Sequence, residues 1–400
     1  MKKFNYSLYG LPEEVKFCSK CTITNQRPSS TIEFKSKNSL KEGINFDKNG
    51  VCDACNYNEI KNKINWVERE KQLIDLCNKY RKKSGYDCIV PGSGGKDSAY
   101  TAHLLKYKFG MNPLTVTWAP HLYTNIGWKN FINWCHVGGF DNILFTPNGQ
   151  LHRILTKLAF LNLLHPFQPF IIGQKIIGPL MATKFNVSLV FYGENQAEYG
   201  NKISENKKST MDTKFFSTKS LGDIVLGGLP IKEIMEKYNF KFNDFEPYIP
   251  VSQSEIEKNS IEQQFLGYYK KWDPQEAYYY ATENTGFSAN DERTEGTYSK
   301  YSSIDDKIDT FHYYTTLIKF GIGRTTYDTA QEIRTNKITR EEGIALIKKF
   351  DHEFPKKYFK EFLNYIDISE NDFWEKIDEF RSPHLWEKKN GEWVLKKTIF

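Results

Sequence analysis

The chain has 400 residues, a net charge of +6, 39% hydrophobic and 26% charged residues. This composition is that of a globular protein with chain enough for two or three domains. The charge is too nearly balanced for a dedicated nucleic-acid footprint, so no nucleic-acid partner is expected. No apolar run reaches the length of a membrane span. Met1-Lys2-Lys3 is basic, but Glu13 and Glu14 follow with no apolar stretch before them, so no secretory signal is expected. The expected location is the cytoplasm, where thiols stay reduced and cysteine pairs point to metal or redox chemistry.

Residues 1–62 carry two knuckles, Cys18-x-x-Cys21 and Cys52-x-x-Cys55. Each presents two thiolates from one tight turn, and together they complete a tetrahedral sulfur shell suited to zinc. Such a shell leaves no open coordination position, so its expected role is structural. Over 63–85, Trp66, Leu73, Ile74, Cys77 and Tyr80 fall on one helical face, which predicts an amphipathic linker helix.

The apolar run Cys88-Ile89-Val90 predicts a buried strand, and Ala99–Tyr107 a helix. Between them stands Pro91-Gly92-Ser93-Gly94-Gly95-Lys96-Asp97-Ser98. A strand, a glycine turn and a helix aim free backbone N–H groups and a helix dipole at one point, which suits phosphate. Ser93 and Ser98 add hydroxyls and Lys96 a charge. Val90 stands where the ordinary nucleotide P-loop has its first glycine, and Asp97 where it has Ser or Thr. The run resembles instead the pyrophosphate (PP) loop of the N-type ATP pyrophosphatases. That resemblance implies that the loop holds leaving pyrophosphate while chemistry occurs at the α-phosphorus.

Over 86–200, strand-like runs recur at Cys88–Val90, Leu114–Trp118, Asn142–Phe145 and Ser188–Tyr192, with helical patterns at 97–109, 126–136, 150–164 and 174–186. This alternation predicts an α/β fold with a doubly wound parallel sheet, whose ligands sit beyond the carboxyl ends of the strands. In pyrophosphatases of the resembled type the second strand end borders adenosine, which makes Thr117 and Trp118 candidates there. A later strand end, Tyr192-Gly193-Glu194, is followed by Glu198. Glu194 or Glu198 with Asp97 could hold Mg²⁺ through oxygen ligands. Lys175 at a helix start is a weak pointer to a nearby anion.

Residues 201–400 read as mainly helical, as at Ile231–Tyr238 and Arg340–Phe350, the latter entered through a Thr339/Glu342 capping box. Two stretches are chemically dense. Arg293–Lys307 packs hydroxyls and both charges. Lys319-Phe320-Gly321-Ile322-Gly323-Arg324 sets two cations around glycines, where close approach of an anion is sterically open.

The knuckles with Gln26-Arg27-Pro28 and Gly50-Val51-Cys52, the loop Val90–Ser98, Tyr192-Gly193-Glu194-Asn195 and the run Gly321–Glu342 together resemble the N-acetyl sugar amidotransferases of bacterial surface-polysaccharide and nonulosonic-acid biosynthesis. The resemblance runs from Cys18 to about Trp386. It implies that ATP, with Mg²⁺, adenylates the acetamido oxygen of a nucleotide-linked N-acetyl sugar, and that ammonia then displaces AMP to leave an acetamidino group. Catalytic candidates are Asp97, Lys96, Glu194, Lys319 and Arg324. Those for ATP and pyrophosphate are Ser93, Gly94, Gly95, Lys96, Asp97, Ser98, Thr117 and Trp118, with Zn²⁺ on Cys18, Cys21, Cys52 and Cys55 and Mg²⁺ on Asp97 and Glu194. Lys2 stands where one glutaminase class has its catalytic cysteine, and Cys77, Cys88 and Cys135 lack the glycine elbow of the other. The resemblance therefore implies a separate glutaminase, akin to the glutaminase and cyclase subunits of histidine biosynthesis, as ammonia source. A tRNA thiolase also joins cysteine knuckles to such a loop, but Cys135 stands without a second cysteine near it. A non-catalytic zinc adaptor leaves the loop without purpose.

Overall fold

A parallel sheet of five strands lies at the centre of the molecule. The computed structural model describes residues 9–28, 43–193, 198, 208–213, 216–218 and 224–400. The strands are β1 (Cys88–Pro91), β2 (Pro113–Trp118), β3 (Asp141–Phe145), β4 (Leu189–Tyr192) and β5 (Glu262–Phe265), in spatial order β3-β2-β1-β4-β5. Four of them fall where the hydrophobic runs predicted. The fifth comes from beyond residue 200, so the α/β unit draws on chain expected to belong to the C-terminal region. Its sequence, Glu262-Gln263-Gln264-Phe265, is polar and carries no strand signal of its own. It is held by main-chain pairing to β4, from Leu189 opposite Glu262 to Tyr192 opposite Phe265.

β1 and β2 are buried along their whole length, which their unbroken apolar runs reflect. Side chains alternate between faces. Ile89 and Val190 join one apolar cluster with residues of α5 (Gly149–Leu163) and α6 (Gln168–Lys184). Cys88, Val90, Leu189 and Phe191 join the other, with α2 (Trp66–Tyr80), α3 (Lys96–His103) and α4 (Asn125–His136). The strand order reverses direction between β1 and β4, and the crevice at such a switch point is where doubly wound sheets bind ligands. The loop after β1 opens there.

The C-terminal region is mainly helical: α7 (Ile231–Tyr238), α8 (Pro274–Thr285), α9 (Asp309–Phe320), α10 (Arg324–Arg334), α11 (Arg340–Phe350), α12 (Phe359–Ile366) and α13 (Glu370–Glu379). The capping box at α11 forms as predicted, with Thr339 Oγ1 accepting from the Glu342 N–H and Glu342 Oε2 accepting from the Thr339 N–H. A hairpin of Trp386–Lys389 with Glu392–Leu395 adds an element that the helical expectation did not include. Asn390 and Gly391 both have positive φ at its turn.

The N-terminal module packs onto this region. Its apolar cluster mixes Cys18, Cys21, Cys52 and Cys55 with Phe320, Ile322 and Ala330. α1 (Asp53–Lys61) ends in a buried ion pair: Lys61 Nζ donates to Glu198 at 2.9 and 3.0 Å and to the Trp272 carbonyl at 3.1 Å. Glu198 is thus spent on Lys61 and is not open to magnesium. Glu198→Gln would leave a buried ammonium without its counter-charge. A loss of about 3–5 kcal/mol is expected in chemical denaturation; an unchanged midpoint would mean that water reaches the pair.

Candidate active site

The loop folds as its glycines require. Gly94 has φ +83°, and a Cβ there would lie 2.9 Å from the Asn130 carbonyl oxygen and 3.0 Å from the Phe131 Cα of α4. A Cβ on Gly92 would meet the Ser98 Cβ at 2.1 Å. The turn therefore lies flush against α4 and against its own helix, and Gly95 caps α3 at its N-terminus. First-turn N–H groups of a helix have no intrahelical acceptor, so those of α3 are the donors for an anion.

The two loop hydroxyls are engaged within the protein. Ser93 Oγ donates to Asp305 Oδ2 at 2.9 Å, and Ser98 Oγ donates to the Gly95 carbonyl at 3.1 Å. Either must turn to reach a phosphate. Lys96 and Asp97 pair with each other, and the Lys96 ammonium lies 5.8 Å from the Trp272 ring centroid.

A cavity of about 620 Å³ runs from this loop to the C-terminal helices. Ser93, Gly95, Lys96 and Asp97 line one part, and Lys319, Arg324 and Asp328 another. The sequence candidates thus fall into two groups, one brought together and one not. Lys96, Asp97, Lys319 and Arg324 share the cavity although more than 200 positions separate the two pairs. Thr117 and Trp118 do not line it. Thr117 is fully buried and accepts from Asn142 Nδ2 at 3.0 Å. Trp118 packs on Phe145, Tyr248 and Gly173, where a Cβ would lie 2.1 Å from the indole. Trp118→Phe is expected to lower stability by about 1–3 kcal/mol. The KM for ATP should stay within about twofold, and a large rise measured in initial-rate kinetics would put the indole at the nucleotide. Glu194 lies outside the described residues.

Arg324 begins α10 and is ion-paired at 3.0 Å with Asp328, one turn on. Its guanidinium lies 4.4 Å from the Tyr313 ring centroid. Burial disfavours its charge, and Asp328, Tyr313 and Asp309 outweigh that effect. Lys319 is buried and donates to the Leu163 carbonyl at 2.7 Å. The glycines around Arg324 serve an anion of the chain itself. Asp351 accepts from the Gly323 and Thr326 N–H groups at 3.0 and 2.8 Å, and a Cβ on Gly323 would lie 2.4 Å from the Asp351 carbonyl. The expected phosphate approach at these glycines is therefore filled by Asp351, and the stretch meets the cavity through Lys319, Phe320 and Arg324 instead.

Sequence reasoning passed over Asp305, Asp309, Asp328 and Tyr313. Asp305 sits in the dense stretch Arg293–Lys307, which wraps the loop: its Cα would lie 2.5 Å from a Cβ on Gly127 of α4. Burial pushes the Asp305 carboxyl up, against the Ser93 hydroxyl. Burial pushes Asp309 up to about 7, with Arg324 pulling the other way. Thr297 Oγ1 donates to Asp328 Oδ2 at 2.7 Å and Tyr298 OH to Glu332 Oε2 at 2.8 Å, which ties the same stretch to α10.

The four knuckle sulfurs lie within 4.8 Å of one another and are buried. Cys18 Sγ is 3.9 Å from Cys55 Sγ, and Cys21 Sγ is 3.7 Å from Cys52 Sγ. A tetrahedron with zinc–sulfur bonds of about 2.3 Å has edges of about 3.8 Å, so this donor set fits zinc. Within the first knuckle the Lys20 and Cys21 N–H groups donate to Cys18 Sγ at 3.4 and 3.5 Å, and the Cys52 N–H of the second knuckle donates to the same sulfur at 3.3 Å. α10 and α11 clasp the cluster: Arg334 lies 3.9 Å from Cys21 Sγ, and Arg340 donates to the Cys18 and Cys21 carbonyls.

Residues 295–399 match the family described as LPS biosynthesis protein WbpG-like, C-terminal domain. This part of the chain is similar to that domain. The matched segment includes Lys319, Arg324 and Asp328, so it and the glycine loop after β1 line one cavity. The uncharacterized protein MJ1599 of Methanocaldococcus jannaschii is 36% identical over 77 residues, which are 19% of this chain and 27% of that protein's length. Two solved structures are similar at low identity. An NH3-dependent NAD synthetase from Campylobacter jejuni has 14% identity and a TM-score of 0.28, over 49% of this chain and 96% of that one. An NMN synthetase from Francisella tularensis has 12% identity and a TM-score of 0.32, over 77% and 98%. Both likenesses are too distant to bear on the reaction. No described helix is long and apolar enough to cross a membrane.

Proposed function

We propose that the chain is an ATP-dependent amidotransferase that converts the acetamido group of a nucleotide-linked N-acetyl sugar into an acetamidino group for surface-polysaccharide biosynthesis in the cytoplasm. The observation that carries this reading is the single cavity shared by the glycine loop and the segment similar to the WbpG-like domain. In the proposed reaction the acetamido oxygen attacks the α-phosphorus, the bond from that phosphorus to the bridging oxygen breaks, and pyrophosphate leaves with the electron pair. Ammonia adds to the imidate carbon, the carbon–oxygen bond to AMP breaks, and an amidinium remains.

The loop N–H groups at Gly94 and Gly95 and the α3 N-terminus stabilise charge developing on pyrophosphate, as preorganised donors do. Lys96, Lys319 and Arg324 add positive charge on the cavity wall. Asp97 offers a carboxylate oxygen for magnesium, which would supply further charge neutralisation. Glu194 remains its proposed second ligand. Ammonia comes from a separate glutaminase subunit.

The test is to incubate the zinc-loaded chain with ATP, Mg²⁺, ammonium and a panel of nucleotide-linked acetamido sugars. AMP, pyrophosphate and a product with one oxygen exchanged for NH are expected. Glutamine should replace ammonium only when a glutaminase partner is added. AMP formation that requires tRNA and a sulfur donor would sink the sugar reading and favour a thiolase.

A further inference from the structure

The cations on the cavity wall differ in how their charge is met. Lys96 pairs with Asp97, Arg324 with Asp328, and Lys319 donates to the Leu163 carbonyl. Arg27 is the exception. It follows the first knuckle, lines the cavity and is only 6% exposed. Its Nη1 has no hydrogen-bond acceptor, and it forms no ion pair among the described residues. Its guanidinium lies 5.3 Å from the Tyr327 ring centroid. Tyr327 meets Tyr313 at 5.9 Å, and Tyr313 meets Arg324 at 4.4 Å. Two arginines thus flank a pair of tyrosines on one wall, one neutralised by its own helix and one not.

Among the described residues the Arg27 guanidinium meets no carboxylate and only the Tyr327 hydroxyl. A buried donor left without an acceptor persists where a ligand supplies the missing oxygen. Arginine presents a planar fork of donors that matches paired phosphate oxygens. ATP already has the loop N–H groups and Lys96. Arg27 comes from a different module, the zinc knuckle, and adds a second anion contact to the same cavity.

We propose that Arg27 binds the diphosphate of the second substrate, so that the zinc module contributes directly to recognition of the nucleotide-linked sugar. This assignment rests on the reaction proposed above. It places the diphosphate on the wall built by the knuckle and Tyr327, and it leaves the loop to ATP.

Calorimetry on the zinc-loaded full chain, saturated with a non-hydrolysable ATP analogue, tests it with uridine diphosphate and methyl diphosphate as probes. Wild type should bind both. Arg27→Gln should weaken both by about tenfold or more, the effect of losing a charge-assisted hydrogen bond. Arg27→Lys, which keeps the charge and loses the fork, should fall between. Affinity for the ATP analogue, zinc content and melting temperature should stay at wild-type levels. The proposal is overturned if wild type binds neither diphosphate, if Arg27→Gln binds them normally, or if the variant loses affinity for the ATP analogue, whether alone or alongside the diphosphates. The two readings separate. Diphosphate binding that depends on Arg27, with no amidination of any sugar, would leave the subsite standing without the reaction. Amidination with an unchanged KM for the sugar nucleotide in Arg27→Gln would leave the reaction standing without the subsite.

Discussion

Cys52→Ser is expected to release zinc and to lower the unfolding free energy by about 4 kcal/mol or more, because metal-binding free energy at such a site is folding free energy. The effect should reach the cavity. Arg334 and Arg340 hold the sulfur cluster from α10 and α11, and α10 carries Arg324 at its other end. A shift of the knuckle therefore moves a cavity cation that lies far from it in sequence. Metal analysis and thermal melting check the first part, and kcat for AMP release the second. A variant that keeps full zinc and its melting temperature would refute the sulfur shell. One that loses zinc yet turns over normally would show that the helices hold α10 without it.

Asp97→Ala is expected to reduce AMP release by about 10²–10³-fold, the scale seen when a group that stabilises transition-state charge is removed. Zinc content and melting temperature should be unchanged, since Asp97 is part-exposed in the first turn of α3 and its described partner is Lys96. Asp97→Asn keeps the shape and an oxygen but not the charge, and should be nearly as impaired if the carboxylate binds magnesium. Raising magnesium should then recover part of the Asn variant's rate. Loss of zinc or of cooperative melting in Asp97→Ala would mean that the loop supports the fold, and the catalytic assignment would fall.

Several elements were readable residue by residue. Trp66–Tyr80, Ile231–Tyr238 and Arg340–Phe350 form helices where periodicity and capping placed them, because their signals lie within a few turns of chain. β1, β2 and β4 were readable for a related reason, since central parallel strands are apolar on both faces. β3, a part-exposed edge strand, was readable from its Ile143-Leu144-Phe145 run. β5 was not. Its polar residues are strand only because β4 offers an unpaired edge beside them. The hairpin at Asn390-Gly391 carries a two-residue turn signal that the mainly helical reading of residues 201–400 did not use.

The same division runs through the site. Local chemistry determined the loop, since Gly92 and Gly94 have no room for a side chain, and it determined the four sulfurs, whose spacing within each knuckle is set by a tight turn. Which distant groups join them was decided by packing. Trp118, next to a strand end, went into the core because Gly173 of α6 opens a slot for its indole. Asp351 took the N–H groups at the glycine-rich start of α10, where an external phosphate was expected. Asp305 came to Ser93, and Arg27 came to Tyr327, across separations that no periodicity spans. The motifs are short-range and follow from backbone sterics and ligand geometry. The cavity exists only once the cysteine knuckles, the sheet and the C-terminal helices have buried their apolar faces against one another.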